Sequence, residues 1–485
     1  MRYHKNVPGY YVENFGCRAT QADGAALERQ FEELGLSRAS TPGRAAIVVL
    51  NTCTVTAAAD HDARAAIRRI QRQNPEASII VTGCYAQRAP EEIAALPGVT
   101  HVIGNSHKHR LAEIALNPFG ESLRAGTFIA LDSLTSPGQR PLFSPDIFVS
   151  DIFAHTQLLA APVFDAANER TRPNLKVQDG CDNRCSFCVI PYVRGQSRSL
   201  DPDRIICEVN ALVESGYREV VLSGINLGRW GRDLGISAQP SAVSDAQRPT
   251  TNDQRLASLI RTILSETAVE KLRISSVEPM DWTDELISLV VTSPRIAKHA
   301  HVPMQSASDA VLRRMHRRYR PWHYREKIEK IHAAMPTAAI GADVMVGFPG
   351  ETDAEFDATR RMVEDLPFTY LHVFTYSPRP GTPAAVMPNQ VPLHTARERN
   401  RILRELAAEK KLAFMRSFVG KEIEAITLRS QECAGEGARA TRFTEALTDN
   451  YLKLHLKGRH EPNRWLRARV EDVDAGALVG SCITA

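Results

Sequence analysis

Residues 174–188 read NLKVQDGCDNRCSFC. A short run suited to a strand, NLKVQ, is followed almost at once by Cys181, Cys185 and Cys188. A Cys-x-x-x-Cys-x-x-Cys loop can bend around a cubane [4Fe–4S] cluster, for which thiolates are the usual ligands. No fourth cysteine lies nearby, so one iron would stay open to a ligand from outside the protein. The competing reading is structural zinc. Such sites normally close with four ligands in paired spacings, and this spacing is not one of them.

Downstream of the triad the chain keeps alternating. EVVLS, KLRISS, HAHVP, IGADVMVGF and YLHVFTYS are further strand candidates, and helices over 203–215 and 353–366 lie among them. About six strand–helix units predict an open or partial (β/α) barrel, beginning with the strand that carries the cysteines. A stretch rich in Ser, Pro, Gln and Thr, residues 233–253, reads as a loop inserted into it.

Upstream, GYYVENFG, AAIVVLNT, SIIVTG and THVIGN are short apolar strands separated by helical stretches, which predicts a parallel α/β sheet. Cys17, Cys53 and Cys84 each fall just past the carboxyl end of one of these strands. Ligands bind at that edge in open parallel sheets. Three cysteines spaced by about one βαβ unit would converge on one rim. The plainer alternative is three buried thiols, a common fate of free cysteine.

The remaining chain completes the plan. The sequence reads as an N-terminal α/β domain (1–118), a Pro- and Gly-containing linker (119–170) and the barrel core (171–394). A basic helix (395–418) and a tail (419–485) follow. KEIEAITL, RFTEALTD, YLKLHLK and RWLRARVEDV in the tail predict a small antiparallel β-barrel. At 485 residues, 43% hydrophobic and 24% charged, the chain can bury several cores. No apolar run is long enough to span a bilayer and no signal-peptide core is evident, so a cytoplasmic, membrane-free protein is expected. Nine cysteines in a reducing compartment argue against a disulfide framework. Cys207 is expected in the core of a helix face, and Cys433 and Cys482 have no neighbours at ligand spacing. A net charge of +4 permits a nucleic-acid partner without arguing for one.

With these residues in view, the cysteine triad on the first strand of a partial barrel, with Phe187 before its last cysteine, resembles the radical SAM superfamily. NTCTVT, VTGCYAQ, QDGCDNRCSFCVIPYVRGQSRS and VLSGINLG narrow the resemblance to the methylthiotransferases, and most closely to their MtaB-type branch. One departure is RATQAD after Cys17, where that branch carries a Val-Asn-Gln type of stretch; Gln21 keeps its place. The resemblance implies two [4Fe–4S] clusters, on Cys17, Cys53 and Cys84 and on Cys181, Cys185 and Cys188. It also implies S-adenosylmethionine (SAM) as cofactor and a tRNA anticodon stem-loop as partner. The electron donor would be a flavodoxin or ferredoxin, and the tail barrel would be of the RNA-binding TRAM type. The implied reaction adds a methylthio group to carbon 2 of N6-threonylcarbamoyladenosine at tRNA position 37.

The same resemblance implies SAM contacts at the strand ends: Ser223, Gly224 and Asn226, then Ser275, Ser276 and Glu278, then Gln305 beside His301, then Asp343 beside Gly347. Polar residues at barrel strand ends face the active mouth. Each can equally serve as a cap or turn residue, as Ser308 in SASDAV does at a helix N-terminus. For RNA, two arginine groups stand out. Arg313, Arg314 and Arg317 lie in RRMHRRYRP, and Arg397, Arg401 and Arg404 lie on the basic helix. Arginine clusters suit phosphates, although a charge run is often only a solvated face. Trp465 and Tyr451 would stack on bases or pack in the tail core. Three rival readings are a methylthiotransferase for isopentenyladenosine in tRNA, one for a ribosomal protein, and a non-catalytic, metal-stabilised RNA-binding protein.

Overall fold

A computed structural model describes residues 9–116, 145–155, 171–234, 255–429 and 443–483. Two compact units emerge, Met1–Ala161 with Val189–Gln196, and Pro162–Cys188 with Ser197–Ala485. Among the described residues no helix is long and apolar enough to cross a membrane.

The first unit is built on one parallel sheet. β1 (Gly9–Asn14), β2 (Ser37–Arg38), β3 (Ile47–Thr52), β4 (Ser78–Gly83), β5 (Val99–Gly104) and β6 (Asp146–Phe148) lie in the order β2-β1-β3-β4-β5-β6. Its helices are α1 (Arg18–Glu33), α2 (Ala57–Gln73), α3 (Cys84–Arg88), α4 (Pro90–Ala94), α5 (Leu111–Leu116) and α6 (Ile190–Arg194). The central strands read as nearly continuous apolar runs because both faces are covered. Val48, Leu50, Ile79 and Val81 pack against Ala63, Ile67 and Ile70 of α2. Val49 and Ile80, on the opposite face, meet Leu27 and Phe31 of α1. The stretch expected as a linker thus supplies an edge strand, since β6 pairs with β5. The N-terminal unit therefore reaches beyond residue 118.

The second unit opens with β7 (Asn174–Asp179), flanked by β8 (Arg198–Ser199), and continues through α7 (Pro202–Glu214), β9 (Glu219–Gly224), α8 (Arg255–Glu266), β10 (Lys271–Ile274) and α9 (Asp284–Thr292). Then come β11 (His299–His301), α10 (Asp309–Arg314), α11 (Pro321–Ala334), β12 (Ala339–Val346), α12 (Asp353–Asp365) and β13 (Tyr370–Thr375). β7, β9 and β10 are parallel, as are β11, β12 and β13. Bridges Leu272↔Ile296 and Ser276↔His301 join the two sets into an open (β/α) barrel. One set of alternate strand residues (Leu175, Val220, Leu272, Ile340, Ala342) feeds the apolar layer under the helices. The other set is polar and faces the lumen: Gln178, Glu219, Ser223, Arg273, His301 and Asp343.

α13 (Leu393–Arg416) leads to a closed barrel of β14 (Glu422–Thr427), β15 (Phe443–Thr448), β16 (Lys453–Lys457), β17 (Trp465–Asp474) and β18 (Ala477–Cys482), in the order β14-β15-β16-β18-β17. Four strands were legible. The fifth, ALVGSC, carries no alternation, and it pairs parallel with β16, so the barrel is not wholly antiparallel. Leu454, Leu456, Ala468, Val470 and Leu478 fill it, capped by Met415 and Phe418 at the end of α13. The barrel shares a compact unit with the core instead of standing apart.

Cys207 departs from its expected place, and Tyr451 and Trp465 take the packing alternative. Cys207 is exposed, because α7 buries the stripe Ile205, Glu208, Val209 and Leu212 and Cys207 falls off it. Tyr451 packs against His299 and Tyr370 with the Arg273 guanidinium over its ring, and Lys271 covers Trp465. Both aromatics therefore serve packing. Cys433 and nearly all of the 233–253 insertion lie outside the described residues.

Candidate functional site

In the first unit, Cys17 is the N-cap of α1, Cys53 follows the last residue of β3, and Cys84 follows the last residue of β4. All three stand at the carboxyl edge of the sheet. Cys53 and Cys84 are buried and Cys17 is exposed. The close approach of the loops depends on glycine. At Gly16, with φ +99°, a Cβ would lie 2.4 Å from Cys53 Cβ and 2.8 Å from its Sγ. Burial, then the neighbouring Cys84 and Cys17, push the Cys53 thiol up to about 12, against smaller opposing pulls from the Val55 backbone amide and Arg194. Three thiols within electrostatic reach of one another suit a shared cationic centre, which would deprotonate them.

Polar residues support this rim. Asn105 Nδ2 donates to Cys84 Sγ at 3.6 Å and to the Val193 carbonyl at 2.7 Å. Beneath lies a buried charge cluster, in which the Asp23 carboxylate accepts from Arg194 at 2.9 Å and from Lys108 at 3.1 Å. Lys108 also donates to Asn51 Oδ1 at 3.2 Å. Arg194 belongs to α6, and Val189 and Val193 at that helix cover Cys84. Asn105, directly after buried β5, carries a sequence signal as a polar residue at a buried strand end, whereas Arg194 on α6 carries none.

In the second unit the loop after β7 carries Cys181, Cys185 and Cys188, all partly buried. A turn closes with Cys188 N–H on the Cys185 carbonyl at 3.1 Å. Ser186 ties the loop to the α10–α11 connection through the Arg314 and Met315 carbonyls at 2.7 and 3.2 Å. Gln178 organises the strand ends. Its amide donates to Gly180 O and Ser197 Oγ, and its Oε1 accepts from Asn226 N–H at 2.7 Å. Asn226 Nδ2 in turn donates to Cys181 Sγ at 3.6 Å. Burial raises the Cys181 thiol above its ordinary range, and the Asn183 backbone amide pulls against it. Arg317, 8% exposed, donates to Cys185 Sγ at 3.4 Å and pairs with Glu278. A pocket opens beside Cys185, lined by Asn183, Arg229, Glu278, Met280 and Arg317.

The expected SAM contacts fall into two groups. Asn226 and Glu278 stand beside the cysteine loop, and Gly224 lies so close to Gln178 that a Cβ would meet its Oε1 at 2.9 Å. The others sit along the lumen. Ser223 donates to the Leu175 carbonyl at 3.4 Å. Ser275 Oγ is buried without a hydrogen-bond partner among the described residues. Ser276 bridges to His301. Gln305, at φ +63°, uses its backbone on Asp343 and Met345. Asp343 Oδ1 lies 3.3 Å from both His301 and His372. Burial opposes its ionisation, but the two imidazoles hold the carboxyl well below the usual carboxylate range.

The arginines proposed for RNA separate as well. Arg317 is buried against a cysteine, which removes it from the surface. Arg314 is committed to Glu355 at 3.0 Å and to the Gly350 carbonyl. Arg313 pairs with Asp309, and Arg401 with both Glu398 and Glu405. Arg397 and Arg404 are exposed on α13 and have no carboxylate partner among the described residues.

Residues 9–104 match the uncharacterized protein family UPF0004, and residues 175–363 match the radical SAM superfamily. A threonylcarbamoyladenosine tRNA methylthiotransferase MtaB of Bacillus subtilis (strain 168) is 35% identical over 445 residues, covering 91% of this chain and 89% of the relative. Its counterpart from Aquifex aeolicus (strain VF5) is 33% identical over 460 residues, covering 94% and 99%. Among solved structures, the radical S-adenosylmethionine methyltransferase TsrM from Kitasatospora setae matches with a TM-score of 0.52 at 13% identity, over 78% of this chain and 77% of that one. That likeness concerns the fold alone.

Proposed function

The chain belongs to the MtaB family of radical SAM tRNA methylthiotransferases, and from that premise we propose that it adds a methylthio group to carbon 2 of N6-threonylcarbamoyladenosine in tRNA. The observation that carries this reading is the pairing of two cysteine triads in one chain, one past the carboxyl ends of three parallel strands and one in the loop after β7. Thiolate donors in threes, with no fourth cysteine beside them, suit [4Fe–4S] clusters with an open iron. Cys181, Cys185 and Cys188 would hold the one that meets SAM, and Cys17, Cys53 and Cys84 the one that carries sulfur. When bound, these groups supply the electron that cleaves SAM and the sulfur that is transferred.

The protein's own residues position and tune. Arg317 and Asn226 donate to the sulfurs of Cys185 and Cys181, which lowers the electron density there. Gly224, Asn226 and Glu278 line the approach to the cysteine loop and are the SAM contacts favoured by their position. Gly224 lets the Gln178 side chain close against the strand end, where a Cβ would meet Gln178 and Leu227. The polar lumen accepts a nucleoside, and Arg397 and Arg404 are the arginines left available for phosphate. A small iron–sulfur or flavin protein would deliver electrons, and the chain would work in the cytoplasm.

The test is mass spectrometry of tRNA nucleosides from cells lacking the gene. They should lose 2-methylthio-N6-threonylcarbamoyladenosine, and the wild-type gene should restore it. The Cys17→Ala/Cys53→Ala/Cys84→Ala variant should not, and should hold about half the iron of the wild type. Persistence of that nucleoside with loss of the methylthio-isopentenyl form would overturn the substrate. Zinc in place of iron on the cysteine triads would overturn the chemistry.

A further inference from the structure

The barrel lumen holds a cluster to which the reaction above assigns no specific role. His301 ends β11, Asp343 lies on β12, and His372 lies on β13. Asp343 and His372 are register partners, while His301 pairs with Gly341, two residues before Asp343. All three side chains therefore project from the same face. His301 Nε2 and His372 Nδ1 each stand 3.3 Å from Asp343 Oδ1, and the three donor atoms lie within 4.8 Å of one another.

His301 is 8% exposed, and its Nε2 faces the Asp343 carboxylate at 3.3 Å without the angle of a well-formed hydrogen bond. A spacing of 3.3 Å is instead about the edge of a coordination tetrahedron with bonds near 2.0 Å. The rings are also held in place. Tyr370 stacks on His301 at 5.9 Å and 17°. Gly341 makes room for that ring, since a Cβ there would lie 2.0 Å from Tyr370 Cζ. His372 is the exposed member, with its side chain 56% exposed, and a side-chain rotation would close the wider nitrogen–nitrogen gap.

We propose that His301, Asp343 and His372 form a two-histidine, one-carboxylate site for a divalent transition-metal ion, separate from both cysteine triads. Two imidazoles and one carboxylate suit zinc or ferrous iron and leave coordination positions open. Those positions face the lumen, where an oxygen donor such as a carboxylate or hydroxyl of a bound molecule would complete the shell. The site accounts for why Asp343 is flanked by imidazoles instead of by hydroxyl or amide groups.

The test uses the holoenzyme with its cysteines occupied by iron and sulfide, and zinc as the probe. After equilibration with one equivalent of zinc and dialysis, the wild type should retain it. Zinc-edge X-ray absorption should show only nitrogen and oxygen neighbours near 2.0–2.1 Å, with imidazole scattering. His301→Gln, Asp343→Asn and His372→Gln should each weaken retention about tenfold or more, in line with loss of a ligand or its partner. His394→Gln, an exposed histidine on α13, should leave retention unchanged. His372→Gln guards against misfolding, because the residue is largely exposed. Sulfur neighbours near 2.3 Å, equal retention in His372→Gln, or no retention by the wild type would each overturn the site.

Discussion

Arg317 shows how far one residue can lie from its apparent role. In the run RRMHRRYRP it is one arginine among five, and the surrounding charge suggests a phosphate surface. The turn after α10 passes through His316 at φ +58° and brings Arg317 inward, onto Cys185 and Glu278. Arg317→Gln should therefore leave affinity for tRNA nearly unchanged. It should speed the loss of iron from the second triad to a chelator severalfold, measured as bleaching of the cluster absorbance in the variant lacking the first triad. Arg273 makes a sharper case for stability. It and Glu219 are fully buried and 2.6 Å apart, with Arg172 as a further partner of Glu219 at 3.5 Å. The Glu219 carboxyl is held below its usual range because, against the cost of burial, Arg273 and then Arg172 stabilise the charge. Arg273→Met removes the nearer partner of that buried charge and leaves only Arg172 beside it, which should cost about 3 kcal/mol in urea unfolding. Arg273→Met with Glu219→Leu should recover much of the loss, since an apolar pair can replace a buried ionic one.

At the scale of elements, helix ends follow local rules that the sequence states openly. Thr352 and Glu355 close a capping box on α12, and Ser308 caps α10 through Val311 N–H at 3.2 Å. Both follow from short polar signatures before an apolar face. The turns that bring the cysteines together are less visible. Gly16 reads as an ordinary turn glycine, yet its positive φ and its contact with Cys53 let β1 run into α1 beside the neighbouring loop. Gly16→Ala forces a Cβ into the space of the Cys53 side chain and strains the backbone. The N-terminal unit should stay folded by circular dichroism while iron content falls toward half that of the wild type. Unchanged iron would remove Gly16 from the site. The strand missed in the tail, β18, illustrates the same limit. Its Gly480 lies under the β17 backbone, where a Cβ would meet Arg469 O at 2.4 Å, so close packing replaces the side-chain alternation that marks a strand.

At the scale of the molecule, the tail barrel is part of the core's own construction. The turn between β15 and β16 closes the end of the lumen away from the cysteine loop. Arg273 donates to the Asp449 carbonyl at 3.0 Å, Asn450 donates to the Thr337 carbonyl at 2.9 Å, and Lys271 pairs with Asp449 at 3.3 Å. Tyr451 fills the space between them against His299. Tyr451→Ala should cost about 3 kcal/mol and lower the unfolding midpoint of the barrel and the core together. A separate transition for the tail would show that the two fold independently. Charge acts at this scale as well. Arg397→Glu with Arg404→Glu should weaken tRNA binding and flatten its dependence on salt, whereas Arg401→Gln, paired to two glutamates, should change little.

The two parallel-strand series, one cysteine triad spread over three strand ends and the other in the loop after a single strand could be read directly from the chain. Apolar periodicity and ligand spacing are local properties, carried by residues close together in sequence. Tertiary structure alone decided which polar residues meet. Arg194 beside the first triad, Arg317 on Cys185, Gln178 beneath Asn226, the His301–Asp343–His372 cluster and Tyr451 at the lumen floor are long-range pairings. They are set by which strands are neighbours and which face each side chain takes, and a linear pattern does not record either.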